Sequence, residues 1–322
     1  MAAQRPFRFG IVGPTVSAEG WAPFARKAEA LGYSTLVRGE HVSMGSAGPI
    51  AALMAAAAAT TSLRVGSHVF ANDLRHPALL AQEAATIDVL SGGRLELGID
   101  SGWLGLDYEA LGLPLDPPGV RVSRLSEAVS LIKQLFGEEA VTHRGSFYDV
   151  RNLNLIPKPL QRPHPPLLIG GGGRRILSLA AREADIVSLD IQGTAEGAKD
   201  VATMMDEAVA QKIAWVRQAA GERFGALELH VLVQNVVVTA DRLQEAQQMA
   251  EALASRPSTV LSNAAGWSRE AILTSPHALI GTIEQIVEDL QERRECYGIS
   301  YLTVYAGALD AFSPVVARLA GT

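Results

Sequence analysis

Three short stretches combine residue types that can handle protons, planar ligands or phosphate. In Arg38-Gly39-Glu40-His41 a carboxylate adjoins an imidazole, a pairing that either relays a proton or supplies two capping or solvated loop residues. Gly98-Ile99-Asp100-Ser101-Gly102-Trp103 brings glycines that permit close backbone approach together with a hydroxyl and a broad amphipathic ring. It reads either as a contact for a planar ligand or as a turn with a packed indole. The run Gly170 to Gly173, followed by Arg174 and Arg175, offers unhindered amides beside two guanidinium groups, an anion trap suited to phosphate where a helix begins. His68 lies near the end of an apolar run, and Asp73, Arg75 and His76 follow as ligand contacts or as the cap of a helix starting at Pro77. His143, His164, His230 and His277 show no metal-ligand spacing, so no metal is expected.

These groups act together only if the fold gathers them, and the chain alternates short apolar runs with longer helical patterns, the signature of parallel βαβ units. Strands are expected at Phe7 to Val12, Ser34 to Val37, Leu63 to Phe70, Arg94 to Ile99, Leu167 to Gly170, Asp185 to Leu189, Leu227 to Thr239 and Tyr301 to Tyr305. Helices are expected at Glu19 to Leu31, Pro49 to Thr60, Pro77 to Leu90, Arg121 to Phe136, from the glycine run to about Glu183, at Val201 to Ala220, Asp241 to Ala254 and Ala278 to Tyr297, and from Ala311. Eight such units predict a (β/α)8 TIM barrel in one domain, residues 1–322, with insertions after strands four and seven. The first includes the proline-rich stretch Gly137 to Pro166, with a hairpin around Arg144-Gly145; the second is Ser255 to His277. In such barrels the active site lies at the C-terminal ends of the strands, where all three stretches fall.

Composition narrows the partners. Hydrophobic residues make up 48% and charged residues 19% of 322, enough apolar material for a large core. Lys and Arg number 28 against 34 Asp and Glu, which argues for small-molecule partners and against nucleic acid. No apolar run approaches the roughly 20 residues of a membrane span, and the N-terminal stretch lacks the apolar core of a secretion signal, so a cytoplasmic protein is expected. Cys296 is the only cysteine; near the end of a helix, it reads as a packed thiol.

Glu19-Gly20-Trp21, Leu31-Gly32-Tyr33, Glu40-His41, Leu63-Arg64-Val65-Gly66 and above all Leu90-Ser91-Gly92-Gly93-Arg94-Leu95-Glu96-Leu97-Gly98 resemble the luciferase-like flavin-dependent oxidoreductase superfamily. The likeness continues through Gly102-Trp103, Asp107 to Gly112, Arg121 to Glu127, the glycine run and Ile280-Gly281-Thr282. Its flavour is closest to the branch that uses the deazaflavin coenzyme F420. The resemblance implies a ring seated at the barrel mouth against strand three, with a non-prolyl cis peptide at His68-Val69. It further implies cofactor contacts from Ser101 and Gly102, a phosphate grip at Gly171, Gly172, Gly173 and Arg174, and a homodimer.

The resulting expectation is hydride transfer between C5 of the deazaflavin and a small organic substrate. His41 is the acid-base group, Glu40 orients it, and Trp103 and Tyr108 contact substrate. The alternatives are an FMN-dependent two-component monooxygenase fed by a separate reductase, and a non-catalytic flavin-binding subunit. The chain departs from the family pattern in having Glu40 where Asp is usual, Trp103 where some deazaflavin dehydrogenases carry a catalytic Glu, and Asp100-Ser101 in place of a small pair.

Overall fold

A computed structural model describes residues 5–255, 261–262 and 267–322. Eight parallel strands close into a barrel: β1 (Arg8–Val12), β2 (Thr35–Arg38), β3 (Arg64–Ser67), β4 (Leu95–Asp100), β5 (Leu167–Gly171), β6 (Ile186–Leu189), β7 (Glu228–Leu232) and β8 (Ile299–Tyr305). β1 pairs with β8 over Arg8↔Tyr301 to Val12↔Tyr305 and with β2 on its other side, and β3 pairs with both β2 and β4, so no edge is left open. Nearly every strand position is buried, because side chains fill the barrel on one face and meet helices on the other; hence the uninterrupted apolar runs in the sequence.

The outer helices are α1 (Trp21–Ala30), α2 (Pro49–Ala59), α3 (Pro77–Leu90), α4 (Pro118–Phe136), α5 (Arg174–Glu183), α6 (Asp206–Ala220), α7 (Ile283–Tyr297) and α8 (Leu309–Leu319). Local chemistry sets several boundaries. Pro77 opens α3, where its missing N–H is no loss, and His76 Nδ1 accepts from Ala78 N at 3.2 Å. α7 starts with a capping box between Thr282 and Gln285 and stops at Gly298, whose φ of +76° suits glycine.

The strand expected over Leu63 to Phe70 is interrupted. Pairing with β4 runs through Gly66↔Glu96, then resumes at Phe70↔Ile99, so β3 carries one extra residue in a bulge, and the His68-Val69 peptide within it is cis. Gly98 accommodates this bulge: a Cβ there would lie 1.9 Å from Ser67 O.

Four expectations are corrected. The run Leu227 to Thr239 is two strands: after Leu232 the chain leaves the barrel, and Asn235–Val238 pairs in parallel with Ala278–Gly281. The helix expected from Ala278 therefore begins only at Ile283; four apolar residues fit either state, and the available partner strand decides. Val201 to Ala220 is a 3-10 turn (Val201–Met204) followed by α6, and before it an unforeseen hairpin, Gln192–Gly193 with Lys199–Asp200, rises beyond β6 and pairs with Leu261–Ser262. Cys296 is exposed, not packed.

Both expected insertions carry structure. A hairpin of Val141–Arg144 and Asp149–Leu153 follows α4, and Arg269–Thr274 forms a helix after β7; residues 256–260 and 263–266 of the second insertion lie outside the described residues.

At the N-terminal end of the barrel, Arg8 bridges Glu96 (2.5 Å) and Glu228 (2.7 Å) with its guanidinium 3.8 Å from the Tyr301 ring, and Arg64 reaches Glu96 at 2.7 Å. Burial alone would raise the Glu96 carboxyl, but the two guanidinium groups hold it below the usual carboxylate range. The charged cluster closes the floor and leaves the opposite end for a ligand.

Candidate functional site

A cavity of about 620 Å³ opens at the C-terminal ends of the strands, a size suited to a small-molecule site. The segments leaving β1, β2, β3, β4, β6, β7 and β8 all contribute to its wall. Of the residues singled out in the sequence, Glu40, His41, His68, Val69, Gly102, Trp103 and Tyr108 line it.

His41 is held by a partner that sequence reading missed. Its Nδ1 lies 2.7 Å from Asp107 Oδ2, while Asp107 Oδ1 accepts from Val42 N (3.0 Å), Ser43 N (2.8 Å) and Ser43 Oγ (2.6 Å). Burial opposes ionisation of Asp107, but the donors from Ser43 and the His41 ring outweigh it and hold the carboxyl below its usual range. With that carboxylate accepting at Nδ1, the second ring nitrogen of His41 is left for a ligand. Trp103 meets the imidazole edge-on, with ring centroids 5.5 Å apart.

The contact expected between Glu40 and His41 is not made: the Glu40 carboxylate accepts from Arg75 Nε (2.8 Å) and Nη2 (2.5 Å) and from Ala71 N at 3.2 Å. Arg75 also binds Glu83, and Asp73 binds Arg124 and the Tyr108 hydroxyl. Tyr108 thus fills the space beside Gly102, whose φ of +74° favours glycine and where an added Cβ would lie 2.1 Å from the Tyr108 oxygen and displace it.

On the floor, His68 turns inward. Its Nε2 is 3.0 Å from Ser188 Oγ and 3.5 Å from Asp190 Oδ1; Ser188 Oγ donates to Asp190 Oδ1 at 2.7 Å and lies 2.8 Å from His230 Nδ1, while His230 Nε2 meets Thr303 Oγ1 at 2.9 Å. Desolvation works against an ionised Asp190, yet His68, Lys199 and Ser188 hold its carboxyl far below the usual range. His230, buried among these groups, is pushed well below its ordinary value by desolvation and by His68, and accepts from Thr303 as a neutral ring. Since the single Ser188 proton goes to Asp190, Ser188 Oγ accepts from both His68 Nε2 and His230 Nδ1.

The glycine run occupies the β5-to-α5 junction, but Ser101, Gly171, Gly172, Gly173 and Arg174 are not part of the cavity wall. Gly172 is pressed against the chain leaving β6, where a Cβ would sit 2.3 Å from Gln192 N, and the exposed Arg174 donates to Gln218 Oε1 at 3.2 Å. The first turn of α5 has no side-chain cap. Asp190 and Lys199 also lie in the wall without having been singled out; Asp190 directly follows an apolar strand, the position that marks candidates after β2 and β4, whereas Lys199 sits on the unforeseen hairpin. Asp107, by contrast, is joined to His41 only by the fold, across 66 residues.

The sequence profile of the luciferase-like monooxygenase family matches residues 10–299. An FMNH(2)-dependent dimethylsulfone monooxygenase of Pseudomonas putida is 37% identical over 109 residues, 34% of this chain and 30% of that protein. An F420-dependent glucose-6-phosphate dehydrogenase of Kineococcus radiotolerans is 33% identical over 186 residues, 54% of either chain. These matches thus span about half or less of the relatives' own length. In fold, the coenzyme F420 dependent tetrahydromethanopterin reductase of Methanopyrus kandleri superposes with a TM-score of 0.77 at 16% identity, covering 98% of this chain and 100% of that one. A profile match over most of the length, together with a closed barrel, leads to one assignment: the chain belongs to the luciferase-like monooxygenase family.

Proposed function

We propose that this protein is an F420-dependent oxidoreductase acting on a small organic substrate, with His41 as its acid-base group and Asp107 in the orienting role expected of Glu40. The observation that carries the reading is the His41–Asp107 pair set in the wall of a 620 Å³ cavity whose floor is the His68-Val69 bulge. The likeness to F420-dependent glucose-6-phosphate dehydrogenases supports the choice of cofactor.

The residues present fit a flavin-type ring. Val69 and Gly39 bring backbone to the cavity floor, with so little room that a Cβ on Gly39 would stand 2.8 Å from His68 O, and the buried Arg38 Nε at the same wall lacks a protein partner among the described residues. His68, Val69 and Gly102 would hold the ring, with Ser101 beside Gly102, and the uncapped start of α5 at Gly171 to Arg174 the phosphate. A bound deazaflavin supplies hydride at C5. The chain's own part is to orient substrate against Trp103 and Tyr108, exclude water, and exchange a proton at His41.

A second reading, an FMN-dependent monooxygenase served by a separate reductase, is favoured by the dimethylsulfone monooxygenase relatives. Titrating the protein with each reduced cofactor separates the two. Tight F420 binding without oxygen consumption is expected; FMN binding with oxygen uptake and no response to F420 would overturn the first reading. A homodimer belongs to the same proposal, and sedimentation measures it.

A further inference from the structure

Asp100 ends β4 at the position where the family pattern suggests a small residue, and it lines the cavity. Its Oδ1 accepts from Gly102 N at 2.8 Å, which fixes the carboxyl group, and Oδ2 has no hydrogen-bond partner among the described residues. Two strands away, Asp190 lines the same cavity. Gly170 on the intervening β5 leaves the room for it, since a Cβ there would lie 2.4 Å from Asp190 Oδ2. Lys199, on the hairpin beyond β6, lines the same cavity, donates to Ile191 O at 3.0 Å and sits 4.4 Å from the Trp103 ring centroid, and its charge acts on both acids.

We propose that Asp100 is a second proton donor of this cavity, serving the oxygen of a carbonyl substrate, with Asp190 and Lys199 as positioning residues that set its charge. This deepens the hydride-transfer reading above and rests on it for the identity of the reaction. The step balances as follows. The carbonyl carbon takes a hydride from a reduced flavin or deazaflavin co-reactant, which is oxidised by two electrons. The C=O π pair moves to oxygen, which forms an O–H bond with the proton of Asp100. The Asp100 O–H bond breaks to leave a carboxylate, reprotonated from water.

The two acids are driven apart, the arrangement that gives carboxyl pairs distinct roles. Asp190 is held ionised by His68, Lys199 and Ser188. Asp100 is pushed up, first by desolvation and then by the Asp190 charge, against the opposing pull of the Gly102 N–H, Lys199 and His41. The ionisable groups whose charges act on it are Asp190 after β6, Lys199 from the hairpin, His41 from the loop after β2 and Tyr108 from the helix Gly105–Leu111.

The test has two arms. In the protein without cofactor, 13C-carboxyl NMR of labelled aspartate is expected to show one resonance that titrates above the usual aspartate range and vanishes in Asp100→Asn. Its midpoint should fall in Asp190→Asn, which removes the raising charge, and rise in Lys199→Met, which removes the lowering one. In the second arm, reduced F420 or FMN is supplied with a panel of aldehydes and ketones. Asp100→Asn should lower kcat/KM by about 10²-fold, leave cofactor affinity unchanged, and abolish the basic limb that the other two variants displace in opposite directions. An Asp100 resonance in the ordinary range, or turnover with an unaltered pH profile in Asp100→Asn, overturns the proposal. If the NMR shifts appear but oxygen uptake with FMN replaces carbonyl reduction, the carbonyl step fails together with the hydride-transfer reading, while an ordinary NMR titration beside active carbonyl reduction sinks the Asp100 proposal alone.

Discussion

Replacing Asp107 by asparagine keeps the shape of the side chain and removes one acceptor. Three donors converge on Oδ1, from Val42 N, Ser43 N and Ser43 Oγ, so the single amide oxygen belongs there and the NH2 group faces His41 Nδ1. An amide donor at 2.7 Å tolerates only an unprotonated Nδ1, which moves the proton of a neutral His41 to Nε2 and disfavours the imidazolium. Loss of a positioned acid-base group costs on the order of 10²–10⁴-fold in rate, so kcat/KM should fall by at least about 10²-fold. The lost charge-assisted hydrogen bond should cost about 1.5–3 kcal/mol of stability, toward the lower end because water reaches the imidazole. The folded Asp107 carboxyl titrates below its unfolded value of about 3.9, so its stabilisation is complete above that pH and fades as pH falls through the folded value. The stability gap between wild type and variant should therefore shrink in acid. Histidine 15N shifts report the tautomer without any cofactor, and urea unfolding at several pH values reports stability. If Nδ1 of His41 remained protonated in Asp107→Asn, the orienting role assigned to Asp107 would be wrong.

Glu40→Ala should cost about 1.5–3 kcal/mol by leaving Arg75 with Glu83 as its one remaining carboxylate, and should leave the His41 15N shifts unchanged; a shift matching that of Asp107→Asn would restore the coupling of Glu40 to His41. Gly98→Ala drives a Cβ to 1.9 Å from the backbone oxygen of Ser67, so a loss at or above the top of the usual 1–3 kcal/mol for overpacking, roughly, is expected, with weakened cofactor binding measured by fluorescence titration. Glu96→Ala leaves Arg8 and Arg64 facing each other at the barrel floor and should destabilise by about 3–5 kcal/mol in thermal or urea unfolding, a penalty that dwindles as pH drops through the depressed Glu96 value; an unchanged midpoint would show that solvent replaces the ion pairs.

Patterns along the chain were enough to specify the barrel. Strands buried on both sides must read as apolar runs, helices packed on one side must read at helical spacing, and the alternation of eight such pairs admits few architectures. Pro77 as the start of a helix was legible for the same reason: its effect acts within a turn of chain. Where a four-residue apolar run such as Ala278 to Ile280 with Gly281 fitted either state, only the partner strand Asn235–Val238 decided it. The tertiary structure also decided which acid serves which histidine. Glu40 adjoins His41 in the chain yet bonds Arg75 instead, whereas Asp107, Asp190 and Ser188 come from distant segments that meet only when the barrel closes. Adjacency in the chain does not make two side chains partners, and the through-space contact that sets the charge of a buried group depends on how distant segments meet, which no local pattern encodes.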